Sequence, residues 1–186
     1  MARLLAAIPR DRAVVIVTGD HGQGLGAHGV PQHGHSGFEE VVRVTAVVAA
    51  PGLAATRYPH LVSHRDIPQT ILGAFGLAPD ERTGRSWLRL ADAPDAPLHT
   101  FVVTRSTRYS SGTRGYVPLG VLVAGHHKLI ASYGDRAFAL YDLAADPRER
   151  TNLAASDPDT LARLWRALAL YTDVDAGAAS FAPTSF

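Results

Sequence analysis

Val14-Val15-Ile16-Val17-Thr18-Gly19-Asp20-His21-Gly22 decides how this chain is read. A run of β-branched residues ends abruptly in Asp-His-Gly. Continuous apolar runs of this kind form buried strands of α/β proteins. Ligands in such folds sit off the carboxyl ends of the strands. The stretch therefore places a carboxylate and an imidazole side by side at a strand end. One oxygen and one nitrogen donor suit Zn²⁺ or Mn²⁺, and Ca²⁺ less readily. An Asx-type turn that merely closes the strand is the structural alternative.

Composition bounds the rest. The 186 residues suffice for one ordinary domain, and 46% hydrophobic with 19% charged residues are globular values. A formal net charge of +1 implies no nucleic-acid partner, and the lack of cysteine excludes disulfides, thiolate metal sites and a Cys nucleophile within this chain. No run approaches the ~18 apolar residues of a membrane span. Met1 to Ile8 lacks the length and cleavage site of a signal peptide, which leaves localisation unknown. It reads as the end of a surface helix with Leu4-Leu5 facing a sheet.

After the strand comes a loop, Asp20 to Gly37, that contains His21, His28, His33 and His35, four of the 9 histidines. Its glycines allow close backbone approach to a ligand. Val41 to Ala50 reads as a second buried strand, stopped by Pro51-Gly52. Asp66-Ile67-Pro68 opens a helix capped by Asp66, with Ile71, Leu72 and Phe75 as its apolar face. Ala78 to Leu98 reads as a surface connection with one turn around Ser86-Trp87-Leu88. Thr100–Thr104 is a third strand, and Arg105 to Gly115, with Arg105, Arg108 and Arg114, a polar loop. Tyr116–Ala124, Lys128–Ser132 and Phe138–Asp142, separated by tight turns, predict an antiparallel meander. A final helix, capped by Ser156 or Asp157, carries the stripe Leu161, Leu164, Trp165, Leu168 and Tyr171.

Three separated stretches then agree with one family. Thr18-Gly19-Asp20-His21-Gly22-Gln23-Gly24-Leu25-Gly26-Ala27-His28-Gly29 resembles the T-S-D-H-G-E-x-L-G-E-H-G segment of sulfatases. His33-Gly34-His35-Ser36-Gly37-Phe38-Glu39-Glu40-Val41-Val42-Arg43-Val44 resembles the H-G-x-S-L-Y-E-E-x-x-R-V-P segment that follows it there. Lys128-Leu129-Ile130 with Leu140-Tyr141-Asp142-Leu143, Asp146-Pro147, Glu149 and Asn152-Leu153 resembles the K-L-I … L-Y-D-L-x-x-D-P-x-E-x-x-N-L block.

The resemblance implies an α/β fold: the C-terminal part of an alkaline phosphatase-like mixed sheet with flanking helices, plus a small C-terminal antiparallel sheet with a packing helix. A partial core with the metal-site loop is expected over 1–104, the antiparallel subdomain over 105–174, and a disordered tail over 175–186. It further implies metal-dependent cleavage of sulfate or phosphate esters, of small molecules or glycans. Asp20 and His21 match a pair of metal ligands for a divalent cation, Ca, Mn or Zn. His33 matches a catalytic residue that contacts the transferred group or, in some phosphotransferase relatives, a second metal. His28 and His35 are expected to be structural, as are Lys128, Asp142, Asp146 and Asn152. Arg43 is expected to pair with Glu39 or Glu40.

Gln23 and Ala27 stand where the family usually has Glu, and Thr45 where it has Pro. In the family a first acidic pair and the nucleophile precede the Asp-His-Gly strand. Here Met1 to Arg12 contain no Cys, Ser, Thr or His, and no C-x-P-x-R or S-x-P-x-R occurs. The expectation is a C-terminal half, inactive alone, with the N-terminal half of the same enzyme as a partner and part of the apolar sheet open. Two alternatives stay open: a phosphoethanolamine- or glycerol-phosphate-type transferase relative, and a non-catalytic remnant or metal-binding module.

Overall fold

The computed structural model describes residues 2–9, 11–80, 84–110, 114–171 and 182–183. The chain forms two compact units, one from 1–19 with 45–100, the other from 20–44 with 101–186.

In the first unit, α1 (Ala2–Ala6) leads to β1 (Val15–Thr18), which pairs antiparallel with β2 (Ala46–Ala49) in the register Val15↔Ala49 to Thr18↔Ala46. The apolar run of β1 predicts parallel-type neighbours buried on both faces. Instead no crossover helix of the βαβ kind joins β1 to β2, so the chain returns antiparallel. β1 is half-buried throughout and β2 is largely exposed. Leu4, expected to face the sheet, is also exposed.

The helical stretch after Ser63 departs further from its sequence reading. Ser63, not Asp66, caps it: the Ser63 hydroxyl accepts from the Arg65 N–H, and Asp66 reaches back to the Ser63 N–H at 2.7 Å, a capping box. In α3 (Ile67–Ala74), Gln69 and Thr70 are buried while Ile71 and Phe75 point outward. Polar groups face inward because partners await them. The Thr70 hydroxyl accepts from the Trp87 N–H at 2.9 Å, and fully buried Asp66 accepts from the Arg85 N–H at 2.8 Å and the Trp87 indole at 3.2 Å, with His99 Nε2 at 2.9 Å. The stretch expected to be a surface connection thus supplies the core. Trp87, Leu98 and Leu90 of α4 (Arg89–Asp92) are buried, with Ile16, Val48, Tyr58, Val62 and Ile67 packed on them.

The second unit is built on a sheet ordered β3-β4-β5-β6-β7: β3 (Phe101–Ser110), β4 (Gly115–Ala124), β5 (His127–Ser132), β6 (Ala137–Asp142) and β7 (Ala182–Pro183). The meander lies where the turns predict it. The polar segment expected as a loop is instead the outer half of β3, with Arg105 opposite Gly120 and Arg108 opposite Val117. Most of the tail lies outside the described residues, but Ala182–Pro183 pairs parallel with β6.

Side chains alternate between two cores, as period 2 requires. Leu122, Leu129, Ala131, Phe138 and Leu140 face α5 (Pro158–Ala169) and its Leu164, Trp165 and Leu168. Val121, Ile130, Ala139 and Tyr141 face the opposite way and meet Phe38. Each fully buried leucine contributes about 1.5–3 kcal/mol. Asp157 caps α5 through the Thr160 N–H at 3.1 Å, with Pro158 in the first turn.

Val41 and Val42, expected as the start of a strand, belong instead to the helical turn α2 (Glu39–Val42). The cause is Glu149, whose Oε2 accepts from the Glu39 N–H at 2.6 Å and so caps the turn. Lys128, fully buried, lies 3.0 Å from Glu39 Oε1 and 2.9 Å from Glu149 Oε1. The second contact is an ion pair and not a well-directed hydrogen bond. Burial pushes the Glu149 carboxyl up, against the pull of Lys128.

Removing one member of such a triad leaves buried charge unpaired. Lys128→Met is expected to destabilise the fold by about 3–5 kcal/mol in urea titrations, and adding Glu149→Gln to recover part of the loss. A second outcome concerns pH. The Thr160 N–H and hydroxyl hold the Asp157 carboxyl below its ordinary value. Its contribution is present above the unfolded value and lost as pH falls through the folded one. Asp157→Asn, which still caps, is expected to narrow its stability deficit against wild type as pH falls through the carboxylate range, read as thermal midpoints.

Candidate functional site

β1 ends at Thr18, and the chain turns sharply into Asp20-His21-Gly22. His64 fixes that exit: its Nε2 donates to the Gly19 carbonyl at 2.8 Å and lies 3.1 Å from the Thr18 hydroxyl. The loop that follows is bound to α2. The Gly22 N–H donates to the Val41 carbonyl and the Gln23 N–H to the Glu40 carbonyl, both at 2.8 Å. Gly22 must be glycine, since a Cβ would run into the Glu40 carbonyl oxygen.

Asp20, His21 and His33 lie together in the second unit. The His21 and His33 rings stack with centroids 4.0 Å apart. Asp20 Oδ1 accepts from the His21 N–H at 3.0 Å, and Oδ2 lies 3.6 Å from His21 Nε2. The N–H groups of His21 and of Asp20 itself, and the imidazoles of His21 and His33, hold the Asp20 carboxyl below the ordinary range. It is therefore an exposed carboxylate, ionised at neutral pH.

The imidazoles are aimed by their other nitrogens. His21 Nδ1 donates to the Gly22 carbonyl at 2.8 Å, and His33 Nδ1 to Gln23 Oε1 at 2.9 Å. Each Nε2 then holds the lone pair, the arrangement found where histidine binds metal. The donor set fits part of a divalent-cation site. It is not a whole one, because zinc takes three protein ligands or more and calcium six or more oxygens. Among the described residues, the group that brings three ligand atoms within 4.8 Å is another one, His126, His127 and Asp142.

The remaining histidines of the loop are tied down. His28 Nδ1 lies 2.7 Å from Glu40 Oε1, its Nε2 3.2 Å from the Glu149 carbonyl, and its ring stacks on Phe38 at 3.7 Å. His35 lies 3.3 Å from the Thr107 hydroxyl and stacks on Tyr116. Arg43 touches Glu39 at 3.8 Å while 80% exposed, so Lys128 is the stronger partner of that carboxylate. Asp142, Asp146 and Asn152 accept backbone N–H groups of their own turns.

Sequence reasoning missed His64, Gln23 as the group that orients His33, and the His126-His127 pair. For His126 and His127 the signal was available in two adjacent histidines at a predicted hairpin turn.

Comparison with known proteins finds sulfatases. Residues 1–77 match the family model described as Sulfatase. The chain is 32% identical over 176 residues to arylsulfatase K of Mus musculus, covering 89% of this chain and 32% of that protein. It is 29% identical over 164 residues to the Delta 4,5-hexuronate-2-O-sulfatase of Bacteroides thetaiotaomicron, covering 84% and 33%. The solved structure of a 2-O GAG sulfatase shares the fold at a TM-score of 0.77 and 24% identity, over 98% of this chain and 42% of that one. The chain spans about a third of the length of the curated relatives it matches. These matches support a sulfatase-like domain in this chain, and its structural neighbours are sulfatases of the alkaline phosphatase-like fold.

Proposed function

We propose that this chain supplies the Asp-His side of a metal-dependent sulfatase centre acting on sulfated glycans. The observation that supports the reading most is the joint placement of Asp20, His21 and His33, with Nδ1 of both rings engaged and Nε2 of both left over. Asp20 and His21 would hold the divalent cation. Bound there, the cation would neutralise the ester's non-bridging oxygens and lower the pKa of the attacking group.

The chain's own residues do the rest. Asp20, held by the His21 N–H, presents an exposed carboxylate. His33, pinned by Gln23, directs Nε2 outward; protonated, it offers an N–H to the sulfuryl oxygens as charge builds on them. Gly22 lets the loop lie against α2, so these groups are set before substrate arrives. The other metal ligands and the nucleophile would come from protein matching the remainder of the relatives' length. Exposed Val47, Ile71 and Phe75 of the first unit are apolar surface that such protein would cover. The glycan substrate is suggested by the named activities of the relatives, a hexuronate-2-O-sulfatase and a 2-O GAG sulfatase.

The test is a chimaera in which this chain replaces the matching third of the Bacteroides hexuronate sulfatase. The expected outcome is hydrolysis of a 2-O-sulfated unsaturated disaccharide, abolished by EDTA. His33→Ala is expected to lower kcat about 10²–10³-fold, and Asp20→Ala to lower kcat/KM at least as far. A chimaera with a native-like thermal transition that cleaves no sulfate ester, or that is indifferent to Asp20→Ala, would overturn the proposal.

A further inference from the structure

A separate set of ligand atoms lies at the turn between β4 and β5. Gly125 has φ +59°, and His126 stays out of the left-handed region, as in a type II′ hairpin. Ala124 is thereby set opposite His127, and the next ladder sets His127 opposite Asp142. The chain leaving β6 is tied back to the turn, since the Leu143 N–H donates to the His126 carbonyl at 2.7 Å. One ligand atom each of His126, His127 and Asp142 falls within 4.8 Å of the others.

The contacts inside this group are not those of a finished hydrogen-bond network. His126 Nε2 and Asp142 Oδ2 are 3.9 Å apart, too long for a hydrogen bond. The two rings sit 4.1 Å apart, tilted by 39°. Among the described residues neither imidazole is engaged in a hydrogen bond. A tetrahedral zinc site separates its nitrogen and oxygen donors by about 3.3 Å. The ligand atoms of the group, within 4.8 Å of one another, stand near that separation.

We propose that His126, His127 and Asp142 form a binding site for a borderline divalent cation of the Zn²⁺ class, which staples the β4–β5 turn to the exit of β6. Two imidazoles and one carboxylate suit Zn²⁺, Co²⁺ or Ni²⁺ and not Mg²⁺ or Ca²⁺. Asp142 is held ready: Oδ1 accepts from the N–H groups of Ala144 at 2.9 Å and Ala145 at 3.2 Å, which leaves Oδ2 toward the imidazoles. The His126 side chain is 55% exposed, so a cation reaches the site from solvent. Three protein ligands leave a coordination position for water. The site shares no residue with Asp20, His21 and His33 and stands whether or not those residues hold a metal.

Zn²⁺ titration of the full chain by calorimetry and by thermal melting tests this, with Mg²⁺ as the control. Wild type is expected to bind Zn²⁺ saturably and to melt higher with it, and to be unmoved by Mg²⁺. His126→Gln, at an exposed turn position, and Asp142→Asn, which still accepts from Ala144 and Ala145, are each expected to weaken Zn²⁺ binding at least about tenfold, since even outer-shell changes cost that much. A chain with Asp20→Ala and His21→Ala is expected to keep the binding. Absence of saturable Zn²⁺ binding, or affinity unchanged by His126→Gln and Asp142→Asn, would overturn the proposal.

Discussion

The second unit depends on one buried ammonium group. Lys128 sits on the central strand β5 with no exposed side-chain surface and meets two carboxylates that arrive from distant parts of the chain, Glu39 and Glu149. A buried lysine between carboxylates costs desolvation on all three groups, so it is weak evidence for net stability. Its value lies in what it specifies. Glu149 bonds the Glu39 N–H and starts α2, and α2 in turn offers the Glu40 and Val41 carbonyls that the Gly22-Gln23 backbone needs. The geometry of Asp20 and His21 is thus set by a charge on a strand more than a hundred residues later in the chain.

The same chain of dependence explains why the sheet of the second unit is buried on both faces. A lone antiparallel sheet with one packing helix would leave Val121, Ile130, Ala139 and Tyr141 in water. The loop returns as cover instead, led by Phe38, and Lys128 holds it down. The histidine-rich loop is both the carrier of the candidate ligands and half of the core's lid. A substitution meant to probe one function perturbs the other unless it falls on Asp20, His33 or a residue equally exposed.

The meander and the last helix were legible because turn glycines and a 3.6-residue stripe act locally. The α3 face was not. Ile71 and Phe75 have the spacing of a buried stripe, yet Gln69 and Thr70 occupy the interior, because Asp66, Trp87 and Asp80 supply their hydrogen-bond partners from elsewhere. Nor could Val41-Val42 be told from a strand, since a helical turn capped by a carboxylate at Glu149 leaves no mark in the local pattern. At the candidate site, the strand end singles out Asp20 and His21 and the family resemblance His33, and the structure brings the three together. That Gln23 orients His33, and that His64 fixes the Gly19 carbonyl, depends on side-chain directions that spacing does not encode.

Ring-nitrogen accounting separates the histidines by the work each can do. His28 has a partner on both nitrogens and a stacked face, so neither nitrogen is left for a ligand. His64 and His99 spend Nε2 on a carbonyl and on a buried carboxylate. His21 and His33 spend only Nδ1, and on oxygen acceptors, which fixes the tautomer with the lone pair on Nε2. His21 Nε2 lies 3.6 Å from Asp20 Oδ2, so an imidazole nitrogen and a carboxylate oxygen stand side by side.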